Sequence, residues 1–204
     1  MVGSAVQART LRLDLDRLAS SRGCATLPVT MTLLVYLLAS PLAYAAAGPV
    51  DSLPNPSFER VDEKTGYPQD WESVWGRPTT CAYSLATART GIACALVTDH
   101  SETDSHGLRS KRVAVAPGVT LAASVYVKLA DPGGFAVYLE FWNAAGQRVF
   151  NRSSGTSAAT DWTQLSVTGK APPDAESATL LIYCGSTSTG VAYFDDASLM
   201  AARE

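Results

Sequence analysis

Beyond residue 50 the chain alternates. Val119, Leu121, Ala123, Val125, Val127 and Leu129 fall on one side of an extended segment, and Thr120, Ala122, Ser124, Tyr126 and Lys128 fall on the other. Phe135, Val137, Leu139 and Phe141 repeat the pattern against Ala136, Tyr138, Glu140 and Trp142, and Leu180 and Ile182 repeat it against Leu181 and Tyr183. A period of two places one face on a core and leaves the other to solvent or a ligand. The same reading predicts strands over 53–59, Trp71–Trp75, 108–116, 119–129, 135–142, 162–168, 178–184 and 190–199. A hairpin over 81–87 and 92–98 turns about Ala88-Arg89-Thr90-Gly91. No segment shows the 3.6-residue period of an amphipathic helix. Roughly nine or ten short strands between turn clusters predict an all-β domain, a two-sheet jelly-roll β-sandwich over residues 48–204.

Residues 1–47 break the pattern. Arg9, Arg12, Arg17 and Arg22 precede the apolar run Leu33–Ala39, and Ala43-Tyr44-Ala45 supplies small residues at A-x-A spacing. This reads as a secretory signal peptide with a long basic lead, cut after Ala45 or Ala47, and a secreted (extracellular or periplasmic) product. The competing reading is an uncleaved membrane anchor, since about 20 apolar residues span a bilayer; Pro41 and the small residues favour cleavage. Removing the segment moves the net charge from -3 to about -5. An acidic domain argues against nucleic acid or an anionic membrane as partner.

Export permits disulfides. Of Cys81, Cys94 and Cys184, the last shares parity with Leu180 and Ile182 and reads as a buried apolar residue. Cys81 and Cys94 flank the predicted hairpin and form the better disulfide pair; the alternative is three buried thiols. No Cys/His spacing suits zinc.

The closing strand carries adjacent carboxylates in Tyr193-Phe194-Asp195-Asp196. Simple alternation puts Asp195 with Tyr193, Ala197 and Leu199, and Asp196 with Phe194 and Ser198. Whichever faces inward needs a partner, because an unpaired buried charge is costly. No basic residue is adjacent in sequence. A cation is the simplest partner, and the first strand offers a second anion, Glu59. Ca²⁺ held by Glu59 and Asp195 would clip the two ends of the domain together.

Tyr126, Tyr138, Trp142 and Tyr183 share non-core parity on separate strands. Aromatic rings beside hydrogen-bonding groups suit the C–H faces and hydroxyl rims of sugars. Arg109, Lys128, Glu140 and Ser124 are candidates for those groups, and Trp75 for a rim. Trp71 and Trp162 read as framework.

Taken together, Asn55-Pro56-Ser57-Phe58-Glu59, the Gly66…Pro68…Trp71 turn, Val115-Ala116-Pro117-Gly118 leading into Ser124–Lys128, Asp161-Trp162-Thr163 and Tyr193-Phe194-Asp195-Asp196 resemble the CenC-type carbohydrate-binding modules. The resemblance covers about residues 53–200. It implies a jelly roll of the galactose-binding-domain-like type, a polysaccharide or oligosaccharide partner, and structural Ca²⁺ ligated by Glu59, Asp195 and backbone carbonyls. Pro56 and Ser57 stand where family members often carry glycine. The family is commonly tethered to a catalytic domain, and this chain holds none.

Enzyme readings have less to stand on. Glycoside hydrolysis uses two facing carboxylates, and the aromatic face offers only Glu140. The polar stretch Asp99–His106 holds both histidines and reads most simply as a solvated loop. The sequence therefore predicts a secreted, non-catalytic carbohydrate-binding module. The alternatives are a structural or protein-interaction sandwich, and a small hydrolase or lyase built on Glu140 or on His100 and His106.

Overall fold

A computed structural model describes residues 53–75, 81–156 and 158–202. The signal-peptide reading of residues 1–47 lies outside the described residues. The strands are β1 (Trp71–Trp75), β2 (Cys81–Ser84), β3 (Cys94–Asp99), β4 (His106–Ser110), β5 (Val113–Ala114), β6 (Thr120–Asp131), β7 (Phe135–Trp142), β8 (Arg148–Thr156), β9 (Thr163–Lys170), β10 (Ser177–Cys184) and β11 (Gly190–Ala201). They form two antiparallel sheets. One runs β1-β4-β10-β7-β8, with β5 also paired to β10; the other runs β2-β3-β11-β6-β9. The domain is the expected two-sheet β-sandwich, and no helix occurs among the described residues.

The alternation explains the packing. Phe135, Val137, Leu139 and Phe141 of β7 and Leu180, Ile182 and Cys184 of β10 face Ala123, Val125 and Val127 of β6 and Phe194 and Leu199 of β11, all buried. Phe135 meets Phe194 across the layer at 5.8 Å. Burial of this apolar surface is the main drive to fold.

Four expectations are corrected. The segment 53–59 is not a strand: Asn55 and Phe58 take left-handed φ values of 53° and 55°, and Asn55 closes the loop through Arg60 N and the carbonyls of Arg60 and Gln69. Phe58 still plugs the core, against Trp71 at 4.8 Å. The 108–116 strand is two, β4 and β5. Strand β8 was not foreseen because its residues are largely exposed and polar; pairing to β7 decides it. The stretch Asp99–His106 is not simply a solvated loop, because its two ends belong to β3 and β4 and are buried. His106 Nε2 lies 3.1 Å from Asp99 Oδ1.

The disulfide is also corrected. Cys81 pairs in register with Val97, and Cys94 with Ser84. Three residues of offset along β3 separate the two by about 10 Å, beyond the reach of a disulfide. Cys81, Cys94 and Cys184 are buried thiols. Burial pushes the Cys94 and Cys184 thiols each up to about 12, so neither is a thiolate at neutral pH.

Candidate functional site

The four aromatics do not share a face. Tyr138 and Trp142 (β7) and Tyr183 (β10) lie on the outer face of the six-stranded sheet with Glu140 and Arg109. Tyr126 and Lys128 lie on β6, in the other sheet. Parity identified the outward side of each strand, but not which sheet the strand joins.

On the six-stranded sheet the rings form a line. Tyr183 meets Tyr138 edge to face at 5.4 Å and Trp75 at 5.6 Å. Trp75 should follow Trp71 to the inside. Its φ of 58° ends the alternation and turns the indole outward, leaving it 51% exposed. Tyr183 Oη is held by Ser105 Oγ at 2.8 Å. Beneath the rings Leu181 is buried although it faces outward.

Next to the line stands a charged cluster. Glu140 is fully buried. Its Oε2 accepts from Arg109 Nε at 2.8 Å and Thr179 Oγ1 at 3.0 Å, and its Oε1 accepts from Arg148 Nη1 at 2.7 Å. Trp142 Nε1 donates to Thr179 Oγ1 at 2.9 Å. Charge-assisted bonds of this kind offset the cost of burying the carboxylate. Trp142 is bracketed by guanidinium groups, Arg109 at 5.1 Å and Arg112 at 4.5 Å from its centroid. Arg109 also lies 5.5 Å from the Trp75 ring. A depression of about 570 Å³ opens beside this cluster, lined among others by Trp71, Glu72, Arg109, Arg112 and Trp142.

On the outer face of the five-stranded sheet the outward residues of β9 are exposed, and cover is local. The 85–93 connection folds over Asp195 and Tyr126. Asp195, opposite Tyr126 in register, is fully buried. Its Oδ2 accepts from the amides of Arg89 (2.7 Å) and Thr90 (3.1 Å), and its Oδ1 from that of Asp196 (2.7 Å). Burial outweighs these donors and pushes the Asp195 carboxyl up from its usual range. A β-bulge at 195–198, with φ 48° at Asp196, interrupts simple alternation, so that Ala197 and Leu199 return to the core. Asp196 accepts from Ser57 Oγ (3.0 Å), Thr90 Oγ1 (2.6 Å) and Arg89 Nη1 (2.6 Å). Partial burial alone would raise the Asp196 carboxyl, but the bonds from Thr90, Arg89 and Ser57 together hold it below its usual value. The basic partner absent from the local sequence is thus Arg89, which also stacks 3.5 Å above Tyr126.

Glu59 reaches the same connection. Its carboxylate accepts from Ile92 N (3.1 and 3.2 Å) and Ala93 N (3.4 Å). Gly91 takes φ +65°, a conformation L side chains rarely adopt, and a Cβ there would push the Glu59 carboxylate out of its place. Two carboxylates, the oxygen donors a hard cation takes, converge on one connection, but backbone amides already donate to both of them. Among the described residues no third His, Cys, Asp or Glu completes a cluster. Backbone carbonyls would have to supply the remaining ligands.

No protein-family model matches the sequence, and no curated protein does. Solved structures share the fold. The enzymatically active domain of bacteriophage CBA120 tailspike protein 4 aligns with a TM-score of 0.59 at 12% identity, over 75% of this chain and 22% of that one. A CBM4 structure aligns at 0.53 and 19% identity, over 74% of this chain and all of that one (100%). The TmCBM61 module, solved with β-1,4-galactotriose, aligns at 0.51 and 14% identity, over 75% of this chain and 99% of that one. The fold is therefore one used by carbohydrate-binding modules and also found within enzymes.

Proposed function

We propose that this domain is a secreted, non-catalytic carbohydrate-binding module of CenC-like kind, which holds a polysaccharide or oligosaccharide chain, a β-glycan, on the outer face of its six-stranded sheet. The observation that carries the reading is the line of the exposed Trp75 and the half-buried Tyr183 and Tyr138 beside hydrogen-bonding groups on the outer sheet face. Rings presented edge to face offer apolar surface to sugar C–H faces, and adjacent guanidinium and hydroxyl donors suit the rim. The fold shared with the galactotriose-bound and CBM4 modules supports it. Trp142 serves this face differently from the tyrosines: its indole is tied to Thr179 and bracketed by Arg109 and Arg112, so it acts as a support for arginines. Glu140 is a structural anchor. All three of its hydrogen-bond partners are donors fixed in place, which ill suits a proton shuttle.

Structural Ca²⁺ between Glu59 and Asp195 belongs to the same proposal. Their convergence on the 85–93 connection supports it, as does the raised Asp195 carboxyl, which a cation would relieve.

Affinity electrophoresis through gels containing xylan, β-1,4-galactan or mixed β-glucan tests the sugar reading. Retardation in at least one gel is expected, lost in Trp75→Ala and Tyr183→Ala and kept in Tyr126→Ala. Retardation that survives both ring deletions would move the site elsewhere.

A further inference from the structure

The aromatic face carries more positive charge than the sequence suggests. One carboxylate, Glu140, is shared by two guanidinium groups, Arg109 and Arg148. Arg109 also approaches the exposed Glu72 at 3.7 Å. Lys111 is neutralised by Asp70. Arg112 meets no carboxylate among the described residues; its only hydrogen bond there is a long one, 3.5 Å, to Gly146 O. Its guanidinium carbon sits 4.5 Å from the Trp142 ring centroid on an exposed side chain, so its donors remain open to a ligand. Arg148 stands beside Trp142 in the neighbouring strand and keeps its side chain 41% exposed. Two guanidinium groups with spare donors therefore flank Trp142, in a chain whose net charge is -3.

Tyr138 and Trp142 are four residues apart on β7, about 13 Å along the strand. The ring line lies towards one end of the face and the arginines towards the other. A chain of several sugars crossing the face would meet both.

We propose that the glycan bound here is acidic: a polysaccharide bearing uronic-acid carboxylates, with Arg112 and Arg148 at the Trp142 end receiving the carboxylate. The planar fork of arginine matches a carboxylate with two parallel N–H bonds, and a neutral hydroxyl does not replace that match. This inference rests on the carbohydrate reading above and narrows it to one class of ligand.

The test compares matched polymers. Polymannuronate and glucuronoxylan, each beside its carboxyl-reduced form, and neutral β-1,4-galactan are titrated into the protein at 50 mM and 500 mM NaCl. The expected result is at least tenfold tighter binding to one acidic polymer than to its reduced form. High salt should shrink the ratio, because partly exposed charges are screened. Arg112→Gln should abolish the ratio, and Lys170→Gln, an equal loss of charge on the other sheet, should leave it intact. Equal binding to acidic and reduced forms would overturn the inference while leaving the carbohydrate reading standing. A ratio untouched by Arg112→Gln would overturn it as well. Failure to bind any of the five polymers would remove both.

Discussion

The two outer faces of the sandwich are made from similar parts and end up unlike. Each has a fully buried carboxylate near an aromatic ring and an arginine: Glu140 with Trp142 and Arg109, and Asp195 with Tyr126 and Arg89. On the five-stranded sheet the donors are mostly backbone amides, delivered by a connection that lies over the strands. On the six-stranded sheet they are side chains reaching across strands, beside the exposed Trp75 and the half-buried Tyr138, Trp142 and Tyr183. Amides brought by a loop cover their carboxylate, whereas the arginines reach theirs from neighbouring strands. A clasp and the proposed binding surface therefore share one vocabulary of residues.

The largest effect that would sharpen this contrast is Glu140→Ala. It leaves Arg109 and Arg148 without their common anion, and removing one partner of a buried ion pair costs about 3–5 kcal/mol. Urea unfolding should show it, together with lost glycan retention. Asp195→Ala should cost less, about 1–3 kcal/mol, by orphaning amides of Arg89, Thr90 and Asp196. It should leave retention unchanged, since the clasp is on the far sheet. Equal loss of binding in both variants would break the distinction between the faces.

Smaller in stability, but decisive for binding, are Trp75→Ala and Tyr183→Ala. Each should weaken glycan binding about tenfold, equal to about 1.4 kcal/mol, with melting of Trp75→Ala barely moved because the ring is half exposed. Retention unaltered in both would make the six-stranded face merely decorative.

The clasp also makes a signed pH prediction. Asp195 is raised, so without metal its contribution is favourable when protonated and is lost as pH rises from its unfolded value through its folded one. Asp196 is lowered, so its contribution is present above the unfolded value and is lost as pH falls through its folded one. In EDTA the two partly cancel. Added Ca²⁺ should favour ionised Asp195 and raise the melting temperature more at pH 7 than at pH 4. Calorimetry giving identical curves with EDTA and Ca²⁺ at pH 7 would remove the cation. The smallest effect is expected from Tyr126→Ala, about 0.5–1 kcal/mol from the lost Arg89 contact, read as a small shift in the urea midpoint.

Alternation along the chain sufficed to determine the fold class, the inward sets of β6, β7 and β10, and the outward sense of Tyr138, Trp142, Tyr183 and Glu140. These follow from the two-residue repeat of an extended backbone, which is a local property. The sequence also brought Glu59 and Asp195 together through a family resemblance and a charge argument; in the fold both accept from amides of the 85–93 connection, and a cation between them is a proposal. It offered Trp75 for a rim, but it did not separate Tyr126 and Lys128 from the other site residues, foresee Arg89 paired with Asp196, or exclude the Cys81–Cys94 bond. Those depend on which strands become neighbours, in what register, and where the backbone takes a left-handed turn. Such choices are settled by contacts between residues distant along the chain, and no local pattern carries them.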